Sequence, residues 1–146
     1  MRQGFKKLRL EQLDRTLAAF KDARNEARPQ KGWLRAVREA LGLSLEEVGA
    51  RLKRPRQRIL EFEKAEAEDR ITLQSLRRVA AALDCNLVYA LVPKTDSILE
   101  LAQQRARRDA TRDVLDVEHT MALEDQASGN VSKLIDQETH RRFKKQ

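Results

Sequence analysis

Along most of the chain the apolar positions recur at helical spacing, and the breaks between the periodic stretches are short. Leu10, Leu13, Leu17 and Phe20 stand at i, i+3, i+7 and i+10, a narrow stripe that predicts a helix of about five turns. That helix forms an N-terminal arm, and with the linker Asn25 to Gly32, marked by Pro29 and Gly32, it spans residues 1–31. Trp33, Leu34, Val37 and Leu41 then predict the first helix of a domain over 32–93, with Gly42 where a left-handed cap residue belongs. Ser44, followed three residues later by Glu47, predicts a capping box opening a second helix. Val48, Leu52, Ile59 and Phe62 keep helical spacing across a three-residue break and can pack two short helices crosswise. Thr72 caps a fourth domain helix, whose inner face is Leu73, Leu76, Val79, Ala80 and Leu83.

The period changes at residues 86–92. Leu87, Val88, Tyr89, Ala90, Leu91 and Val92 are β-prone and apolar on both faces, bounded by Asn86 and Pro93, which predicts one short strand. A lone strand cannot satisfy its backbone, so Leu87, Val88, Tyr89 and Leu91 are expected to pair with a second copy of the chain or with another protein. Residues 94–127 carry a long polar helix that opens at Ser97, with Glu100 completing a capping box. Its apolar residues are sparse and small, so weak attachment to its own domain is expected. Ser128-Gly129-Asn130 breaks it, and residues 128–146 read as a basic, solvated tail. The fold class expected is mainly α: a four-helix domain with one short strand between an N-terminal and a C-terminal helical arm.

Charge sharpens this picture. The formal net charge is +7 and 36% of residues are charged, which favours a polyanionic partner. The excess is local: residues 24–58 carry ten Lys or Arg against four Asp or Glu, whereas 59–70 carry two bases against five acids. The positive charge therefore gathers around the two crossed helices. Arg56, Gln57 and Arg58 open the second of them, and long, polar, cationic side chains there are what reading base edges in a major groove requires. This is the layout of a helix-turn-helix, with double-stranded DNA as the expected partner.

Other chemistry is poorly supported. His119, His140 and Cys85 are scattered, no Gly-rich loop could cradle a phosphate, and no residues have metal-ligand spacing. An enzyme is not expected, nor a cofactor or metal. The single Cys85 lies in an apolar stretch, where a buried, inert thiol is expected. The first twenty residues hold no apolar run of signal-peptide length and no stretch is long enough to span a bilayer, so a cytoplasmic protein is expected.

From Trp33 to Pro93 the chain resembles Xre-type helix-turn-helix domains, the fold of phage repressors and many antitoxins. The resemblance rests on Leu43-Ser44, Glu46-Glu47-Val48, Leu52, Ile59, Glu63 and the run Leu76 to Leu83. It implies that Arg56, Gln57 and Glu61 reach base edges while Arg58 lies near the backbone. Arg56 suits guanine and Gln57 adenine. The chain departs from the pattern at three positions. Leu45 stands where Gln usually makes a phosphate contact, Lys53 where Gly usually makes the turn, and Pro55 where Ser or Thr usually caps the recognition helix. Lys53 must thereby adopt a strained left-handed conformation, or the turn must be reshaped. With Lys53, Arg54, Arg56 and Arg58 still on one short stretch, binding driven more by charge than by base readout is expected.

Over most of its length, to about residue 127, the chain is similar to the family called mobile mystery protein A. The carrying motifs are Leu10-Glu-Gln-Leu-Asp-Arg15, Arg28-Pro-Gln-Lys-Gly-Trp33, Ile71-Thr-Leu, the run Leu83 to Pro93, and His119-Thr-Met-Ala-Leu-Glu-Asp-Gln126. That resemblance implies an antitoxin encoded beside a Fic-domain protein, a class that transfers AMP from ATP to target hydroxyls. Inhibitors of such enzymes carry a helix with Ser or Thr, three residues, Glu, then Gly or Asn, whose Glu displaces the ATP γ-phosphate. Thr120 and Glu124 match, and Asp125 departs from the pattern. The function implied is a DNA-binding antitoxin that inhibits a Fic toxin and regulates its own operon, as a homodimer or a hetero-oligomer with the toxin. The alternative is a stand-alone dimeric repressor.

Overall fold

Helix caps and the periodic stripes between them account for the order of elements in the computed structural model, which describes residues 2–123 and 130–145. Helix α1 spans Arg2–Leu17 and runs into two short 3-10 turns, Ala18–Phe20 and Asp22–Asn25. Helices α2 (Trp33–Ala40), α3 (Leu45–Leu52), α4 (Arg56–Ala67) and α5 (Leu73–Ala82) follow, then α6 (Ile98–Leu123) and α7 (Val131–Lys145). The chain divides into two compact units, residues 25–89 and residues 1–24 with 90–146.

In the unit of residues 25–89, the four short helices enclose Leu34, Leu45, Val48, Ile59, Val79, Ala82 and Leu83. Val48 and Ile59 are fully buried, the stripe that crosses α3 over α4. Removing such side chains from water contributes about 1.5–3 kcal/mol each. The expected capping box at α3 is formed: Glu47 N–H donates to Ser44 Oγ (3.1 Å) and Ser44 N–H to the Glu47 carboxylate (2.7 Å). Those contacts with Ser44 hold the Glu47 carboxyl below the usual carboxylate range. Thr72 Oγ1 accepts from Ser75 N–H at the start of α5. Helix α2 ends in a Schellman motif, with Gly42 at φ 67° and the Leu43 N–H on the Arg38 carbonyl (3.0 Å). The next three helices end in the same left-handed turn without glycine, at Lys53, Asp69 and Asp84.

Two carboxylates on α4 organise this unit. Glu63 is 4% exposed and accepts from Arg38 on α2, Nε at 2.5 Å and a terminal nitrogen at 3.1 Å. The bond it donates to Glu63 raises the pKa of the Arg38 guanidinium, whose other terminal nitrogen donates to the Leu43 carbonyl (3.0 Å). Glu66, also buried, accepts from the backbone N–H groups of Trp33 and Leu34, both at 2.8 Å. It therefore caps α2, whose N-cap residue Gly32 has no side chain to do so. Arg28 in turn donates to the carbonyls of Glu66 and Ala67 at the end of α4 and to Asp69.

In the other unit, Asp14 on α1 accepts from the N–H groups of Ile98 (2.6 Å) and Leu99 (3.2 Å), while Ser97 Oγ accepts from Glu100 N–H (3.0 Å). The expected capping box is half formed, since the Glu100 carboxylate takes the N–H of Asp96 rather than that of Ser97. The small residues of α6 are its buried face: Ala106 and Ala110 are 1% and 0% exposed. Short side chains there admit the neighbouring helices α1 and α7 closely, so α6 is packed within this unit.

Three expectations need correction. The stretch read as a solvated tail forms α7, which lies against α6 through Arg107–Asp136 (2.8 Å) and through Arg142, paired with Asp113 and Glu138. Its apolar positions, Val131, Leu134, Ile135 and Phe143, are few for a helix of this length, and ion pairs supplement them. Cys85 is exposed, since the turn after α5 carries it out of the core. No strand occurs among the described residues; 86–92 is irregular, as a strand without a pairing partner in its own chain must be. There Val88, Tyr89 and Leu91 are 66%, 60% and 88% exposed, and Leu87 is half-buried.

Candidate nucleic-acid interface

The turn between α3 and α4 is made by Lys53, Arg54 and Pro55. Of the two outcomes open to Lys53 the left-handed conformation is the one found, φ 54° and ψ 43°. Its N–H bonds to Ala50 O (3.2 Å) and that of Arg54 to Gly49 O (2.9 Å), a Schellman closure with a lysine at the usual glycine position. Pro55, at φ −66° and ψ 154°, precedes α4 and provides no side-chain cap. Its missing N–H would have been an unpaired donor at a helix start, so the helix tolerates it.

Gly49 makes the turn possible, and sequence reading overlooked it. A Cβ built there would lie 2.6 Å from the Arg54 carbonyl oxygen, which is backbone and cannot swing away. The available signal was a glycine inside a short amphipathic helix, Leu45 to Leu52, where propensity alone disfavours it. Leu45, read as a lost phosphate contact, belongs instead to the core, at 9% exposure.

Lys53, Arg54, Arg56, Gln57, Arg58 and Glu61 are all exposed. Two of the cations are held by carboxylates: Arg56 Nε lies 3.1 Å from Glu46 on α3, and Arg58 donates to Glu61 at 2.9 Å. Arg58 also stacks over Phe62, its guanidinium carbon 4.8 Å from the ring centroid. Such exposed pairs are worth about 0–1 kcal/mol and exchange readily for phosphate. Lys53 and Arg54 take part in no ion pair among the described residues. The face thus presents a row of long side chains, partly self-neutralised, around the first turn of α4.

Thr120 lies exposed on α6, its hydroxyl donating to the Asp116 carbonyl (3.0 Å); Glu124 falls outside the described residues. Among the described residues no three His, Cys, Asp or Glu side chains are grouped to hold a metal ion, and no helix is long and apolar enough to cross a membrane.

No curated protein and no solved structure matches the chain. A family model does, over the four helices and the segment after them: residues 34–89 are similar to the helix-turn-helix family HTH_3. That stretch is an Xre-type helix-turn-helix domain, of a kind that binds DNA in regulatory proteins.

Proposed function

We propose that the protein is a sequence-tolerant DNA-binding regulator that docks α4 in the major groove. The observation that carries this reading is the cluster of Lys53, Arg54, Arg56 and Arg58 on the turn and first helical turn of a well-formed helix-turn-helix. Arg56 and Gln57 face base edges, and Lys53, Arg54 and Arg58 contact phosphates. Glu61 and Glu46 keep the arginines extended until DNA displaces them. The exposed segment bearing Leu87, Val88, Tyr89 and Leu91 pairs with its counterpart in a second copy, so that two α4 helices meet successive grooves.

Arg56→Ala combined with Arg58→Ala is expected to weaken binding to the DNA upstream of the protein's own gene at least tenfold and to flatten the salt dependence by about one phosphate contact, that of Arg58. Anisotropy titration at several salt concentrations measures both, with sedimentation of the free protein alongside. Unchanged affinity removes the DNA reading, and a monomeric wild type removes the pairing.

A second reading concerns α6, anchored at its N-terminal end by Asp14 while Leu115, Val117 and Thr120 remain exposed further along. With the resemblance to the mobile mystery protein A family, this supports an antitoxin whose Thr120 and Glu124 enter the active site of a Fic-domain adenylyltransferase. The full chain is then expected to co-purify with a Fic protein encoded beside it and to block AMP transfer, and Glu124→Gly should release that block. No complex, or inhibition that survives the substitution, ends this reading.

A further inference from the structure

Beside the recognition helix lies a hollow of about 410 Å³ lined by Leu52, Arg54, Arg58, Phe62, Ser75 and Arg78. A second hollow of about 450 Å³ shares Arg58, Phe62 and Ser75 with it and is also lined by Glu61, Lys64, Arg70 and Thr72. Three arginine side chains, Arg54, Arg58 and Arg78, therefore line one small space. Arg58 has Glu61, but Arg54 and Arg78 have no carboxylate partner among the described residues. Ser75 Oγ accepts from the Thr72 hydroxyl at 3.0 Å, which leaves the Ser75 proton to donate. Arg58 is also held in place by its stacking on Phe62.

Like charges gathered with only one carboxylate, Glu61, among them repel one another, and an anion entering there relieves the repulsion while accepting several hydrogen bonds. We infer that this hollow is a phosphate-binding site, with Arg78 and Ser75 on α5 joining Arg54 and Arg58 around one phosphate group. The ligand is a phosphodiester of the DNA backbone next to the groove that α4 enters, which extends the contact surface onto a helix outside the helix-turn-helix pair. This assignment rests on the DNA reading above, yet the site has a ligand chemistry of its own, because a free pyrophosphate presents the same oxygens.

The experiment uses the full chain and a control that shares the charge but not the hollow. Arg77 is exposed on α5 and lines neither hollow. Duplex affinity is measured between about 50 and 200 mM salt for wild type, Arg78→Ala and Arg77→Ala. Arg78→Ala is expected to lower affinity about fivefold at physiological salt and to reduce the slope of log K against log salt by about 0.9, one phosphate contact, with Arg77→Ala close to wild type. In parallel, pyrophosphate is titrated while amide NMR signals of residues 75–78 are followed. Wild type that binds duplex with Arg78→Ala unaffected, or with Arg77→Ala equally impaired, overturns the inference and leaves the DNA reading standing. Failure of wild type to bind duplex, together with saturable pyrophosphate shifts lost in Arg78→Ala, removes the DNA reading but supports the site with a free phosphate as its ligand. Neither duplex binding nor saturable shifts overturns both.

Discussion

Glu63→Ala is expected to destabilise the unit of residues 25–89 by about 3–5 kcal/mol, the range for stripping one partner from a buried ion pair. Burial decides the magnitude. Arg38 and Glu63 side chains are 12% and 4% exposed, so the pair cannot be treated like the exposed pairs of Arg56 and Arg58 on the reading face, worth about 0–1 kcal/mol. Alanine leaves the Arg38 guanidinium with the Leu43 carbonyl and, at 3.9 Å, the half-exposed Glu39 carboxylate, a poor exchange for a buried charge. A unit of this size has on the order of 3–10 kcal/mol of stability in total, so the loss consumes much or all of it. Replacing both partners, Arg38→Met with Glu63→Leu, removes both charges and is expected to recover most of the stability. Urea denaturation followed by circular dichroism compares the three proteins. A loss under 1 kcal/mol in Glu63→Ala would mean that the pair is solvated, contrary to its burial.

Gly49→Ala carries the second large effect, and two contributions of opposite sign compete in it. Alanine in a helix interior is favoured over glycine by about 1 kcal/mol. Against this, the new methyl would sit 2.6 Å from the Arg54 carbonyl oxygen, and Pro55 on one side and Ile59 beneath leave the turn little room to move. Overpacking of this kind costs about 1–3 kcal/mol, and here the obstructing atom is backbone, so the steric cost dominates. Any relief must come from shifting Lys53 to Pro55, which displaces the start of α4 and the cations on it. Melting temperature and duplex affinity are expected to fall together. A variant that gains stability and binds DNA normally would show that α3 does not approach the turn this closely.

The helices themselves were largely legible because their signals are local. Ser44 with Glu47, Thr72, Gly42 and the stripes through Val48, Ile59 and Val79 each act within a few residues, and each is where the sequence places it. The conformation of Lys53 was legible for the same reason, since a turn that closes on itself requires a left-handed residue whichever side chain occupies it. The site was legible as a row of residue types, but not its internal pairing: Glu46 restrains Arg56 from the neighbouring helix, and Arg78 reaches the hollow from α5. Where a charge falls on a helix can be counted along the chain; which other charge it meets depends on helix crossing.

By itself, then, the sequence determined the four helices between residues 33 and 82, their caps, the crossing stripe of α3 and α4, and the gathering of positive charge on the turn between them. Tertiary structure alone decided that Glu63 and Glu66 are buried against α2, that Asp14 caps α6 from 84 residues away, that residues 131–145 form a helix, and that Gly49 is the narrow point of the turn. Propensity, periodicity and capping are interactions between near neighbours, which one strand of letters contains in full. A carboxylate's choice of partner, or the space left for a Cβ, is set by which distant backbone the folded chain brings against it.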